Sequence, residues 1–552
     1  MDFKKLADLL YPNTTKTIQD YLNQYSPRNL PEGAEVTRFA PSPTGYLHLG
    51  SFFGATIDKL IAESSNGIFY FRLEDTDGKR TIDGADKVAL EVLKLYNIYP
   101  HEGYLLEGQI GDYGPYKQSE RVEIYNTFAK YLVSIGRAYP CFCKKRENKE
   151  EILQERNEQL SSTNTIETKD PCRDLTLEQV IEHLNNGDDW ALRFKSMGKE
   201  DEKFTFTDSA KGERILAKNT MDYVIIKSNG VPVYHFGHVV DDILMHTTTV
   251  VRGNEWMGTL PLHVEMFEAF GFIAPKYTHT ALIMKKDETT GNTRKISKRF
   301  DPEADMRFYL TSGYPVEAVN RYVMNLINSN YEPWALANPD APLNDYPFNP
   351  NNLTTSDPMF DIIKLNDISK TVISKYTTEQ VLNNILTWAK EYNINDYEVI
   401  NNNKEAFKAV LSIDRECARP RKDITKFDEV VSLYDYILPE FKLSETIDFG
   451  STDKQHLKEF LIDYIQNYFE ASDNSEWFAT IKEIALKHNF ADMKDYKKSP
   501  ESYAGSIADA VKFVRFAITG RINTPELYTI MKTISKTECL KRLQEFVDSN
   551  IN

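Results

Sequence analysis

The residues best equipped for chemistry lie in two short stretches far apart in the chain. The first is RFAPSPTGYLHLGS, Arg38 to Ser51, where Gly45 and Gly50 let the backbone approach a ligand and His48 offers a ring nitrogen to a phosphate oxygen. A helix beginning near Ser51 would turn free N–H groups and the positive end of its dipole toward the same anion. The second is KISKR, Lys295 to Arg299, which follows the polar run KKDETTGNTR. Lysines 295 and 298 on such a loop can close over a polyphosphate and follow its charge through a reaction. Taken singly, the first stretch is equally an ordinary strand-to-helix turn and the second a solvated basic loop.

Two further constellations carry chemistry. Cys141 and Cys143, in CFC, and Cys172 are three of only five cysteines, too few for a disulfide framework and in keeping with a reducing, cytoplasmic setting. Arg415, Arg419, Arg421 and Lys422 cluster in DRECARPRKD, and KKRENK (144–149) forms a second basic run. Each is either an RNA contact or a solvated face.

These residues need elements to hold them. AEVTRF (34–39) reads as a strand, and Phe53, Ile57, Leu60 and Ile61 then follow helical spacing. GIFYFRLEDTD alternates, with Phe69, Phe71 and Leu73 on one face and Tyr70, Arg72 and Glu74 on the other, ahead of a helix carrying Val88, Val92 and Leu95. Two strands, each followed by a helix, predict a parallel sheet with right-handed crossovers. From about 117 to 218 charged helices and short strands read as an insertion. Strands resume in DYVIIKSNGVPVYHF, where Asn229-Gly230 is a hairpin-turn signal, and in TTVVRG and YTHTALIM. Beyond about 303 the spacing is mostly helical, broken by the Pro/Asn-rich segment 337–352, and residues 1–33 read as a polar lead-in.

The whole chain sets limits on this. Its 552 residues are far above the roughly 100–200 of one domain, so several cores are expected. With 66 Lys and Arg against 82 Asp and Glu the formal charge is −16, so any polyanion must be met by local basic patches. The N-terminal MDFKKLADLLYPN breaks too early for a secretory signal, and no apolar run reaches the ~18 residues of a membrane span.

HLGS and KISKR stand where class I aminoacyl-tRNA synthetases have their His-x-Gly-His and Lys-Met-Ser-Lys-Ser signatures. With FYFRLEDTD, GPYKQSERVEIY, YHFGHVVDD, VVRGNEW and FVRFAITGRINTPELYTIM, the chain resembles the bacterial type of glutamyl-tRNA synthetase from about residue 34 to 545. The resemblance implies an α/β plus all-α architecture: a Rossmann catalytic domain in two halves (34–116 and 219–290), split by an α+β connective, acceptor-binding insertion (117–218). An N-terminal extension (1–33) would precede it, and a helical stem-contact region with the KISKR loop (291–370) and an α-helical anticodon-binding region (371–552) would follow. It further implies that Arg38 and Arg252 hold substrate carboxylates and Glu74 the ammonium, with Ala40, Ser42, Tyr234 and His238 completing the pocket. His238 stands where some members have asparagine. His48, Lys295 and Lys298 would act in catalysis, and Gly50, Ser51, Glu255, Trp256 and Ser297 would join them around ATP.

The implied reaction joins L-glutamate to tRNA(Glu) through an adenylate, with Mg²⁺ carried by ATP, in a monomeric cytoplasmic enzyme that uses no membrane. Cys141, Cys143 and Cys172, with Asp174 as a weak fourth ligand or His183 as a remote substitute, resemble the zinc site of some members. Glutaminyl-tRNA synthetase shares the catalytic motifs but uses β-barrels after them, which the helical periodicity past 370 disfavours. A non-catalytic tRNA-binding paralogue would be expected to lack His48, Lys298 or the pocket arginines, all present here.

Overall fold

A computed structural model of the chain describes residues 1–76, 82–143, 170–287 and 289–551. KKRENK therefore lies outside the described residues. The chain forms two compact units, Met1–Phe308 with Asn320–Asp361, and Tyr309–Val319 with Ile362–Asn552.

The first unit begins with two short helices where a polar lead-in was expected. In α1 (Phe3–Leu10) Asp2 caps the N-terminus and Leu6, Ala7 and Leu10 are buried, and α2 (Ile18–Gln24) opens on a Thr17–Asp20 capping box. Helices of eight and seven residues are marginal alone, so packing must hold them. Strands β1 (Val36–Phe39), β2 (Ile68–Phe71) and β3 (Glu102–Leu105) then run parallel in that order, with β4 (Gly108–Ile110) antiparallel at the edge. Helices α3 (Leu49–Ser64) and α4 (Ala85–Leu95) connect the parallel strands. Both faces of β2 are covered, as a parallel sheet requires, so Tyr70 and Arg72 are as buried as Phe69 and Phe71. On α4 the buried stripe runs through Ala85, Ala89, Leu90, Val92 and Leu93, leaving Leu95 exposed, which differs from the expected stripe. Gly103 has φ +125° and a Cβ there would sit 2.2 Å from the Phe71 carbonyl oxygen, so only glycine lets β3 close on β2.

Helix α5 (Val122–Ser134) packs on α1, and β5 (Ala138–Cys141), α6 (Leu177–Asn185) and β6 (Ala191–Phe194) follow. Strands β7 (Lys203–Asp208) and β8 (Gly212–Ala217) pair as a hairpin, and β9 (Val224–Ile226) joins β6 and β5 in an antiparallel sheet. The turn at Asn229-Gly230 forms, with Gly230 at φ +76°, but its second arm is brief. From Tyr234 the chain is α7 (Tyr234–Leu244), because Phe236, Val239, Val240, Ile243 and Leu244 bury at helical spacing, so YHF is not extended as expected. Strand β10 (Thr249–Gly253) lies beside β1, with Thr248 N–H donating to the Val36 carbonyl at 3.0 Å, and pairs in parallel with β11 (Lys276–Thr280) across α8 (Leu260–Ala269). Strands β12 (Met284–Lys286) and β13 (Thr293–Lys295) form a hairpin that presents KISKR.

The second unit is helical apart from a two-residue strand pair, Phe490–Ala491 with Gly505–Ser506. One core gathers Val381, Ile385, Phe407 and Leu411, another Leu457, Phe460, Ile481 and Phe513. Arg415 faces inward, donating to the Leu411 and Ile373 carbonyls at 2.8 Å each. Arg421 donates to the Val410 carbonyl at 2.7 Å. The basic cluster thus splits, leaving Arg419 and Lys422 exposed. Among the described residues no helix is long and apolar enough to cross a membrane.

Candidate active site

The loop after β1 and the KISKR loop meet. His48 is the N-cap of α3, two residues earlier than expected, and its Nδ1 accepts from Gly50 N–H at 2.9 Å. That contact explains Gly50, where a Cβ would approach the ring nitrogen to 3.3 Å. It also leaves the ring proton on Nε2, beside the Ile296 backbone of the KISKR loop. Burial, then Lys298 and Lys295, press the imidazole down to about 4, so it is neutral near pH 7. A cavity of about 490 Å³ is lined by Ser42, Gly45, His48, Ser51, Lys295, Ser297 and Lys298. Lys298 donates to the Tyr46 carbonyl, and Lys295 pairs with Glu255 at 3.0 Å. Cations, a neutral imidazole and a helix N-terminus on one cavity make an anion site suited to phosphates.

Beside Glu255, the ring of Trp256 packs on Tyr234, centroids 4.6 Å apart, and Tyr234 stacks on His238 at 5.6 Å. Here the ends of β1, β2 and β10 bring Arg38, Glu74 and Arg252 into one buried polar cluster, as expected for a site at the carboxyl ends of parallel strands. Arg38 Nη1 donates to the Val251 carbonyl at 3.3 Å, one residue from Arg252. Arg38 Nε faces Asp242 Oδ2 at 3.6 Å without a hydrogen bond, and Arg252 Nη2 is buried without a hydrogen-bond partner among the described residues. Burial pushes the Glu74 carboxyl up to about 7, with Arg72 and Arg38 opposing it. Ala40, half-exposed, simply follows β1.

His238 behaves differently from a substrate donor. Its Nδ1 lies 2.7 Å from Asp242 Oδ2, its Nε2 pairs with the Tyr277 hydroxyl at 3.0 Å, and its ring face stacks on Tyr234.

Several residues of the cluster lie within the quoted runs but carry no expected role. Arg72 is wholly buried and donates to Asp242 at 2.6 Å and Glu74 at 3.0 Å. Burial raises the Asp242 carboxyl, but Arg72, His238 and Arg38 outweigh it and hold it well below the usual range. Asp241 accepts from Arg121 at 2.7 Å, from Gln118 at 2.9 Å and from Tyr125 at 2.9 Å. Besides those runs, a sign was the charged pair Asp241-Asp242 in an otherwise apolar segment, since a buried charge needs a partner.

Cys141, Cys143, Asp170 and Cys172 form a separate cluster, their ligand atoms all within 4.8 Å of one another. The fourth member is Asp170, not Asp174, which is exposed and lies 3.8 Å from Lys195. His183 is engaged with Asp188 at 2.7 Å. Asp170 sits at the N-cap of the Pro171–Asp174 turn, accepts from Cys172 N–H at 2.9 Å, and pairs with Arg193 at 2.8 Å. Three thiols and a carboxylate at this spacing fit a tetrahedral soft-metal site.

Comparison with known proteins accounts for both halves of the chain. The family described as tRNA synthetases class I (E and Q), catalytic domain, matches residues 35–367, and the anticodon binding domain family matches 385–547. A glutamate–tRNA ligase of Acetivibrio thermocellus is 42% identical over 549 residues, covering 99% of this chain and 100% of the relative. One of Clostridium perfringens (strain SM101 / Type A) is 40% identical, with 99% and 100% covered. A crystal structure of a glutamate tRNA ligase from Elizabethkingia meningosepticum in complex with its amino acid shares the fold, with TM-score 0.69 at 24% identity over 94% of this chain and 100% of that one. With relatives matching from end to end, the chain belongs to the glutamate–tRNA ligase family of the class I tRNA synthetases.

Proposed function

We propose that this chain activates L-glutamate with ATP to glutamyl-adenylate, releasing pyrophosphate, and transfers the glutamyl group to the 3′ end of tRNA(Glu), releasing AMP. The observation that carries the reading is the convergence of two buried arginines, Arg38 and Arg252, the latter with an N–H that has no partner among the described residues, and the Glu74 carboxylate. Glutamate has two carboxylates and one ammonium, and a site of two cations and one anion matches it group for group. The α-carboxylate attacks the α-phosphorus of ATP, so no covalent enzyme intermediate is required. The protein then has mainly to position the reactants and neutralise charge. His48 donates to a phosphate oxygen, and Lys295, Lys298 and the α3 N-terminus draw the pyrophosphate charge away. Ser51, Ser297, Glu255 and Trp256 shape the nucleotide side, and Mg²⁺ arrives with ATP.

The remaining assignments follow from this reading. The segment from about 117 to 218 approaches the acceptor end, the region after KISKR contacts the stem, and the helical second unit reads the anticodon. Zinc on Cys141, Cys143, Asp170 and Cys172 would clamp β5 to the Pro171–Asp174 turn, a structural role. Metal analysis of the purified protein should find about one zinc per chain, lost in Asp170→Ala with Cys141→Ser. A metal-free wild-type chain, refolded or native, that binds no added zinc would refute that site.

The activity test is aminoacylation with labelled glutamate or glutamine, and with tRNA(Glu) and tRNA(Gln) each supplied alone. Glutamate on tRNA(Glu) is expected, and no charging under any combination would overturn the proposal. Glutamate on tRNA(Gln) as well would define a non-discriminating enzyme.

A further inference from the structure

Arg252 is held unlike the other buried arginines of its unit. Arg72 and Arg121 donate to carboxylates at 2.6 and 2.7 Å. Arg252 instead donates to two imidazoles, from Nε to His279 Nε2 at 3.0 Å and from Nη1 to His263 Nδ1 at 2.9 Å. Guanidinium nitrogens only donate, so both ring nitrogens must present lone pairs, and that fixes both tautomers. His279 carries its proton on Nδ1 and donates it to Asp208 Oδ2 at 2.6 Å. His263 carries its proton on Nε2, facing His235 Nδ1 at 2.9 Å. The Tyr277 ring supports the guanidinium from one side, its centroid 4.5 Å away. The fork is thus oriented by neutral acceptors while, among the described residues, no touching carboxylate spends its charge, which stays available to an anionic ligand.

We propose that His279 and His263 are positioning residues for Arg252, and that Asp208 sets the tautomer of His279 so that the free edge of Arg252 meets the substrate carboxylate. The inference rests on the reading of Arg252 as a carboxylate-binding residue. Asp208 is itself well fixed, 1% exposed at the end of β7, accepting from the backbone N–H of Ala210 at 3.0 Å, Lys211 at 2.9 Å and His279 at 3.2 Å. The device works only with neutral rings, since a proton on either accepting nitrogen would oppose the guanidinium. His279 faces Asp208, Arg252 and Lys211, and His263 faces Arg252 together with His235, His238 and Asp242 of α7. Burial, reinforced by His238 and Arg252 at His263, and outweighing Asp208 at His279 with Arg252 in support, keeps both rings below the ordinary imidazole value and therefore neutral near pH 7.

The test is steady-state aminoacylation by the full chain, with glutamate and ATP varied separately at saturating tRNA(Glu). Asp208→Asn keeps the shape but can donate an amide proton to His279 Nδ1, moving the ring proton to the nitrogen that faces Arg252. It should raise the glutamate KM roughly 10- to 100-fold while the ATP KM stays within about twofold. His279→Phe should do the same, whereas His279→Gln, whose amide oxygen can accept from Arg252 Nε, should recover most of the loss. The proposal is overturned if Asp208→Asn and His279→Phe leave the glutamate KM within about twofold, or raise the ATP KM in parallel as general loosening would. If Asp208→Asn folds poorly, the comparison of His279→Gln with His279→Phe decides alone, and equal glutamate KM values would refute positioning. Arg252→Gln is the reference: a raised glutamate KM there, without one in the histidine and aspartate variants, refutes positioning only. An unchanged glutamate KM in Arg252→Gln refutes the carboxylate reading and this inference with it.

Discussion

Glu74 is the residue through which pH should be felt first. Burial holds its carboxyl up to about 7, and only the ionised form can receive the glutamate ammonium. As pH falls through 7 the free enzyme loses that form, so kcat/KM for glutamate should drop about tenfold per unit below it. A Glu74→Gln variant should be low throughout and show no such limb, and a wild-type profile flat between about pH 5.5 and 8 would reject the assignment. His48, pressed to about 4, should add no inflection near neutrality. For Lys298 the expectation is a kinetic split. Its ammonium acts on charge that develops in the transition state, so Lys298→Ala should lower kcat by about 10²–10³ at saturating ATP. An unchanged kcat would remove it from catalysis.

At the scale of elements, the N-terminal helices strap the sheet that carries the pocket. Arg28, just past α2, forms a two-pronged pair with Glu102 of β3 at 2.6 and 3.1 Å, donates to the Met245 carbonyl at 2.9 Å and lies over the Tyr113 ring at 3.9 Å. β3 is the neighbour of β2, whose end leads to Arg72 and Glu74. Breaking this largely buried pair strands Glu102, so Arg28→Ala should cost about 3 kcal/mol in urea unfolding of the first transition. Combining Arg28→Met with Glu102→Gln should recover much of that loss, because no charge is left unpaired. Equal midpoints for wild type and Arg28→Ala would show that the strap is ornamental.

For the whole molecule, the question is how a chain of net charge −16 meets a polyanion. Contacts must be few and local, and the inward-facing Arg415 and Arg421 take two candidates off the surface. Exposed Arg419 and Lys422 remain. Reversing both to Glu should weaken tRNA binding and reduce the slope of log K against log salt by about 1–2, leaving the unfolding midpoint alone. Arg415→Ala should instead lower the unfolding midpoint, because it strips the donors from the Leu411 and Ile373 carbonyls. A salt slope unchanged by the double reversal would place the RNA elsewhere.

The sequence by itself determined the parts whose signal is local. The strand, glycine loop and helix around His48, the lysines of KISKR, and the arginines and glutamate at strand ends all stand in contiguous, recognisable runs, and helical spacing marked the second half of the chain. Short-range rules failed where packing decides. Tyr234 to Phe236 continue an extended pattern on paper but turn helical because α7 buries its apolar side. Residues 1–33 look polar by composition yet hide Leu6, Leu10, Tyr21 and Tyr25 against neighbours far along the chain. Tertiary structure alone chose Asp170 over Asp174, and it alone brought Asp208, His263 and His279 to Arg252. Such partners are separated by tens of residues, and their meeting depends on register and burial that no single segment encodes.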